Sequence, residues 1–108
     1  MQYIENLERL RQLQVLNLSK NDIEKIEKVD KLIRLQELNL SFNCIAKIEH
    51  LEALTSLQVL NVSGNRIETI PLWLAKKLKS LRVLKIARNC IQSVSSFLPS
   101  NIKLRITC

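Results

Sequence analysis

Glycine, proline and aromatic residues are scarce in this 108-residue chain, which contains one Gly, two Pro and 4% aromatics. So few turn-forming residues argue against an all-β fold with many tight turns. Leu and Ile fill 32 positions, and this aliphatic content argues against a disordered chain. No apolar run approaches the roughly 18 residues of a membrane span, and the first residues do not resemble a signal peptide. The length allows one small domain.

Residues that commonly carry catalysis or bind metals are also few. The three cysteines form an odd count, which excludes a closed disulfide framework and favours a reducing compartment. His50 is the single histidine, and the sequence has neither a Cys-x-x-Cys pair nor a glycine-rich phosphate loop. We therefore predict no catalytic residue, no metal site and no cofactor.

A unit of about 22 residues repeats along the chain. Its first full copy reads Leu-Gln-Val-Leu-Asn-Leu-Ser-Lys-Asn-Asp-Ile, and the four copies start at Leu13, Leu35, Leu57 and Leu81. The second Asn of the unit recurs at intervals of 22, 22 and 24 residues, so the segment 71–80 carries a two-residue insertion. The pattern LxxLxLxxNxI resembles that of leucine-rich repeats, and the resemblance covers about residues 1–94.

This resemblance implies an α/β fold: a leucine-rich-repeat solenoid of about four to five repeats. The apolar–polar alternation in each copy predicts a short strand, and stacked copies would form a parallel sheet on the concave face. Short helices or turns would cover the convex face, with a longer helix over 71–78, where Leu74 and Leu78 fall at helical spacing.

The expected domain spans residues 1–94 and opens with a partial repeat at 1–12. Residues 95–108 are predicted to be an irregular tail, although the alternation of apolar and basic residues at 102–106 is compatible with one more edge strand. Because the chain opens within a repeat and the pattern ends after Val94, we expect a fragment or alternative product of a longer protein.

One asparagine in each copy is predicted to turn inward after the strand. Its amide would pair with backbone groups of its own repeat and of the adjacent one, since such buried groups cost about 1–3 kcal/mol each when unpaired. These structural residues are Asn21, Asn43, Asn65 and Asn89.

The strand residues between the leucines are predicted to face the concave side, where solenoids commonly hold their partners. A polar column of three asparagines and a lysine crosses the strands there. Two interpretations stay open: adjacent amides pair in a ladder, or the column forms a groove for a helix or extended segment of a partner. The candidate binding residues are Asn17, Glu37, Asn39, Ser41, Asn61 and Lys85.

Basic residues concentrate near the C-terminus. Residues 1–70 contain 9 basic and 10 acidic side chains, whereas residues 71–108 contain 8 basic and no acidic ones. These cations either complement the dipole of the predicted helix or attract an acidic protein or nucleic acid. Phe97 is the one aromatic after Trp73, which disfavours base stacking and nucleic-acid binding. The candidate basic patch is Lys76, Lys77, Lys79, Arg82 and Arg88.

Four other side chains stand out. Phe42 either packs on neighbouring residues or acts as a binding anchor. Trp73, which aligns with Leu51, is predicted to fill the core along the insertion. Cys44 and Cys90 hold the same position two repeats, or about 9.6 Å, apart. They are therefore too distant for a disulfide and are predicted to be packed thiols.

The 22-residue length and the Ile-x-x-Ile-Glu after the Asn resemble the short intracellular class of leucine-rich repeats. That class includes a phosphatase-1 regulatory subunit, a spliceosomal repeat protein and several centrosomal and ciliary proteins. The run 67–84, with Pro-Leu-Trp-Leu followed by Lys-Lys-Leu-Lys-Ser-Leu-Arg, is similar to the centrosomal members.

This likeness implies a monomeric, non-catalytic protein-interaction module in the cytoplasm, at the centrosome, midbody or cilium base. The alternatives are a phosphatase-1 regulatory protein and a ribonucleoprotein scaffold.

Overall fold

The structure, a computed structural model, describes residues 4, 5, 7 and 9–91 in full and residues 103–105 as backbone. Five short strands form one parallel sheet in chain order. The elements are β1 (Val15–Asn17), β2 (Glu37–Asn39), β3 (Val59–Asn61), α1 (Leu74–Lys77), β4 (Val83–Lys85) and β5 (Lys103–Arg105). The chain thus advances by one strand per repeat, and the predicted solenoid with a parallel sheet is confirmed.

The final strand, β5, lies within the segment 95–108. It pairs with β4, as the alternation at 102–106 predicts, so that segment is not irregular throughout. Phe97 and the other residues of the segment lie outside the described part of the chain.

The middle residue of each of the first four strands is a leucine that points into the core. Leu16, Leu38, Leu60 and Leu84 stand in register. Three of them are at most 1% exposed, whereas Leu16 is half-buried, because β1 has a neighbouring strand on one side only. Each repeat therefore covers the apolar face of the next one.

Buried residues recur at every third position in the convex segments. From the second copy to the start of the third these residues are Ile45, Ile48, Leu51, Leu54 and Leu57. The backbone N–H of Leu54 donates to the carbonyl of Leu51 at 3.0 Å, and that of Leu57 donates to the carbonyl of Leu54 at 3.1 Å. A period of three matches the i→i+3 bonding of a 3₁₀ turn, so these segments form turns.

The two-residue insertion changes this period to four. Leu74 and Leu78 are both buried, and the N–H of Leu78 donates to the carbonyl of Leu74 at 3.0 Å, as in an α-helix. The predicted helix over 71–78 is too long, because α1 contains a single turn. The N–H of Leu74 still bonds the carbonyl of Pro71, three residues back, at 3.2 Å.

The insertion also shifts the core position of the third copy. Leu74 is 0% exposed, like Leu51 in the preceding copy, whereas Trp73 is half-buried and packs at the margin of the core. The alignment of Trp73 with Leu51 is therefore wrong by one residue, since part of the insertion precedes the buried position.

A residue with a left-handed backbone follows each of the first four strands. These residues are Lys20 (φ 60°), Phe42 (φ 56°), Gly64 (φ 68°) and Arg88 (φ 54°). The N–H of Phe42 donates to the carbonyl of Ser63 in the next repeat at 2.8 Å. The ring of Phe42 lies over Gly64, where a Cβ atom would come within 2.6 Å of Cδ1. Phe42 thus packs on its neighbour, while its side chain stays 46% exposed.

Candidate protein-binding surface

Two columns of side chains cross the concave face of the sheet. Successive residues of a strand point to opposite faces, so the residues on either side of each buried leucine face away from the core. Strand pairing aligns one set, the valine column, as Val15, Glu37, Val59 and Val83. It aligns the other set, the amide column, as Asn17, Asn39, Asn61 and Lys85.

The amide oxygens of this second column are bonded within their own repeats. Oδ1 of Asn39 accepts hydrogen bonds from the N–H of Ser41 at 3.0 Å and from its Oγ at 2.7 Å. Oδ1 of Asn61 accepts from the N–H of Ser63 at 3.1 Å, and Asn17 is bonded like Asn39. Because a backbone N–H can only donate, it fixes the oxygen toward the turn and leaves the NH₂ group on the other side.

The amide column is therefore not a ladder of amides bonded to one another. The NH₂ groups of Asn17, Asn39 and Asn61 form no hydrogen bond with any residue that the structure describes. Asn17 is an exposed residue, and the nitrogens of Asn39 and Asn61 are not fully buried. They remain available as donors at one per repeat, about 4.8 Å apart.

One charged residue interrupts each column. Glu37 is exposed in the valine column, and Lys85 is half-buried in the amide column. Neither forms an ion pair with another residue of the described chain. Apart from Val83, the two columns line a hollow of about 200 Å³, so one wall presents donors and the other presents apolar groups with a single carboxylate.

Ser41, which the sequence placed among the binding residues, is only 5% exposed. Its hydroxyl and N–H hold Asn39, so it supports the surface from beneath. The alternation of the strands predicts that Val15, Val59 and Val83 share the concave contact surface with the asparagines, and the strand register places them there.

The inward-turned asparagines bond neighbouring repeats together. Nδ2 of Asn43 donates to the carbonyls of Leu18 at 3.1 Å and Leu40 at 2.9 Å, and its Oδ1 accepts from the N–H of Ile23 at 3.1 Å. Asn65 and Asn89 repeat this arrangement, and the NH₂ of Asn21 bonds carbonyls of its own repeat. The structure places these amides inside the solenoid, away from the concave face.

The candidate basic residues are spread over several faces. Lys76 and Lys77 are exposed in the last turn of α1. Lys79 and Arg82 line a common hollow of about 290 Å³. Arg88 follows β4 whereas Arg82 precedes it, so these two lie at opposite ends of that strand. The structure thus places Lys79 and Arg82 at one hollow, Lys76 and Lys77 together on α1, and Arg88 at the other end of β4 from Arg82.

The two described cysteines differ in exposure. Both are free thiols; Cys44 is half-buried and Cys90 is exposed. The prediction of a packed thiol is therefore wrong for Cys90, which lies in the last of the four full copies, whereas Cys44 has a full copy on either side.

Two larger hollows of the described chain are lined mainly by charged side chains. A hollow of about 490 Å³ on the convex side is lined by Glu27, Lys28, Asp30, His50, Glu52 and Ala53, and its charges are of both signs. Within residues 4, 5, 7 and 9–91, no three His, Cys, Asp or Glu side chains converge as a metal site. Over the same residues, no helix is long and apolar enough to cross a bilayer.

The chain is similar to a family of known repeat sequences and to several solved structures. A family model of leucine-rich repeats (two copies) matches residues 11–53 and again residues 55–100. No curated relative matches the sequence. A leucine-rich-repeat protein of Leptospira interrogans superposes with a TM-score of 0.80 at 28% identity, over 94% of this chain and 27% of that chain.

Two proteins of Listeria monocytogenes are similar as well. An internalin (InlF) superposes with a TM-score of 0.79 at 28% identity, over 92% of this chain and 29% of that chain. The functional domain of InlJ does so with a TM-score of 0.78 over 95% of this chain and 22% of that chain; at 19% identity it is similar in fold alone. The chain thus spans less than a third of each of these three structures.

Proposed function

Because the chain belongs to the leucine-rich repeat family, we propose that it is a non-catalytic module that binds a protein partner on its concave face. Proteins of this family are typically interaction modules without catalytic activity. The observation that carries the proposal is the amide column, whose three NH₂ groups are accessible and form no hydrogen bond with the described residues, at one per repeat. A partner that supplies acceptors gains hydrogen bonds there without displacing any bond of the fold.

We further propose that the module acts in the cytoplasm, at the centrosome, midbody or cilium base, as part of a larger protein similar to centriolin. The support is the sequence of residues 67–84 together with the 22-residue repeat length. The bacterial structures bear on the fold, so the cellular placement rests on the sequence resemblance.

Affinity purification from reduced cell extract tests both proposals. The wild-type chain is compared with Asn39→Tyr/Asn61→Tyr. The two tyrosines fill the hollow between the two columns, which we call the groove, without changing the net charge. The matched control is Thr55→Tyr/Thr69→Tyr, because both threonines are exposed outside the two columns. Circular dichroism first establishes that all three chains are folded.

The expected result is a set of centrosomal proteins that the wild type and the control recover and the groove variant loses. Equal recovery by all three chains would contradict binding at the concave face. Recovery of a phosphatase-1 catalytic subunit, or of RNase-sensitive complexes, would replace the centrosomal placement with the corresponding alternative.

A further inference from the structure

The amide column presents mainly hydrogen-bond donors to a ligand. Each asparagine oxygen already accepts at least one hydrogen bond from the serine of its own repeat, so each asparagine offers its NH₂ group, and Lys85 offers an ammonium group. A matching ligand must therefore supply a row of acceptors. Carboxylates are the strongest acceptors for such donors, because charge-assisted bonds are shorter and stronger than neutral ones.

The charge around the groove also selects an acidic ligand. The whole chain carries a net charge of +7, and the next position in register after Lys85 is Arg105. Lys85 is the charged member of the amide column and lies at its β4 end, so a negatively charged ligand is attracted and oriented toward that end.

The spacing of the column favours a helix over an extended chain. Neighbouring strands are about 4.8 Å apart, one turn of α-helix advances about 5.4 Å, and alternate residues of an extended chain advance about 6.7 Å. Across the three intervals from Asn17 to Lys85 a helix drifts by about 2 Å, within reach of side chains. An extended chain drifts by about 6 Å, which exceeds a whole repeat.

The valine column specifies the second row of the ligand. Val15 is 58% exposed, Val59 and Val83 are half-buried, and the exposed carboxylate of Glu37 lies between Val15 and Val59. The two columns are separated by two residues of strand, or about 6.6 Å, a width that one face of a helix about 10 Å across covers.

Resting on the proposed function, we infer that the groove binds an acidic amphipathic helix of a protein partner, laid across the strands. Successive turns place carboxylates against the amide column, including one at Lys85. An adjoining apolar row packs on the valines, and a basic residue of the helix faces Glu37.

The test uses phage-displayed random peptides of 16 residues, to which designed acidic amphipathic helices are added, selected on the wild-type chain. Expected are enriched sequences with acidic residues three or four positions apart over three or four turns, which gain helical circular dichroism on binding. Enrichment of basic, proline-containing or strictly alternating sequences, or no enrichment at all, would overturn the inference.

An isosteric variant then tests the chemistry of the column. Asn39→Asp/Asn61→Asp keeps an oxygen for Ser41 and Ser63 but turns each outward donor into a charged acceptor. Fluorescence anisotropy with an enriched peptide should show affinity about tenfold lower or worse, and Lys85→Glu should do the same, because like charges then face each other. Lys47→Glu, which is exposed outside both columns and outside the candidate basic patch, is the charge-matched control and should leave affinity within about twofold.

The variants separate this inference from the proposed function. If Asn39→Tyr/Asn61→Tyr abolishes peptide binding but Asn39→Asp/Asn61→Asp and Lys85→Glu do not, the inference of an acidic helix is refuted and binding at the concave face is still supported. Peptide binding that none of the three groove variants affects would refute both.

Discussion

Replacing Asn43 by alanine is expected to lower the free energy of unfolding by about 2–4 kcal/mol, whereas replacing Asn39 should cost about 1 kcal/mol. Both substitutions remove an amide from the same repeat, and the two positions are four residues apart. The difference in cost lies in the groups to which each amide is bonded and in whether water can replace it.

The Asn43 side chain is 7% exposed, and its bonds reach into buried backbone. Its Oδ1 accepts from the N–H groups of Asn21 and Ile23, both at 3.1 Å. Alanine leaves the buried N–H of Ile23 without its partner, at about 1–3 kcal/mol. The carbonyls of Leu18 and Leu40 lose one donor each but keep a second from another asparagine. The loss of these two bonds and of the side chain's packing adds about 1 kcal/mol to the cost of the substitution.

Asn39 is half-buried at the concave face, and its amide bonds one residue. Its Oδ1 holds the N–H and Oγ of Ser41, and water reaches this site once the side chain is shortened. The substitution therefore costs the net value of ordinary hydrogen bonds, about 1 kcal/mol.

Urea denaturation followed by far-ultraviolet circular dichroism measures the two free energies. At about 4 °C per kcal/mol for a domain of this size, Asn43→Ala should also lower Tm by about 8–16 °C and Asn39→Ala by about 4 °C. Equal effects of the two substitutions, within about 0.5 kcal/mol, would show that the inward amide is not what joins the repeats and would refute this reasoning.

Two further substitutions test the turns and the core. Gly64→Ala should destabilise the fold by about 1–2 kcal/mol because alanine is strained at a φ of 68°, and the clash of its Cβ with the Phe42 ring should add to this cost. The added cost should vanish in a Phe42→Ala background. Equal costs in both backgrounds would contradict the close packing of Phe42 on Gly64. Leu74→Ala should lower the free energy of unfolding, measured by urea denaturation, by about 2–5 kcal/mol. Leu72, at 64% exposure, is the control, and Leu72→Ala should lower it by less than about 0.5 kcal/mol. A large effect at Leu72 would contradict the shifted core position.

The repeat predicts the sheet well because one set of contacts recurs in each copy. A spacing of 22 residues fixes the register of Leu16, Leu38 and Leu60, since any other register would bring polar residues into the core. The two-residue insertion is the place where this argument fails. Its length does not reveal where the extra residues go, and the structure divides them so that Leu74 replaces Trp73 at the buried position.

The orientation of the concave amides could not be predicted from the strand pattern alone. It depends on the N–H and hydroxyl of the residue two positions later, as Ser41 shows at Asn39. The sequence does contain a signal for it, because Asn-x-Ser occurs in the first three copies and becomes Lys-x-Ala at Lys85. The exposure of Cys90 could not be predicted either, because Cys44 holds the same position in the repeat and is half-buried.

The residues that depart from the repeat say most about which partner the binding surface fits. A residue that recurs in every copy is explained by stacking, as with the buried leucines and Asn43. Glu37 and Lys85 break their columns, are not fully buried and form no ion pair with the described residues, so stacking does not account for them. Their charges lie in different columns and two strands apart. A partner that matches both must therefore carry opposite charges in a fixed register, and this requirement fixes the position and direction of a bound helix.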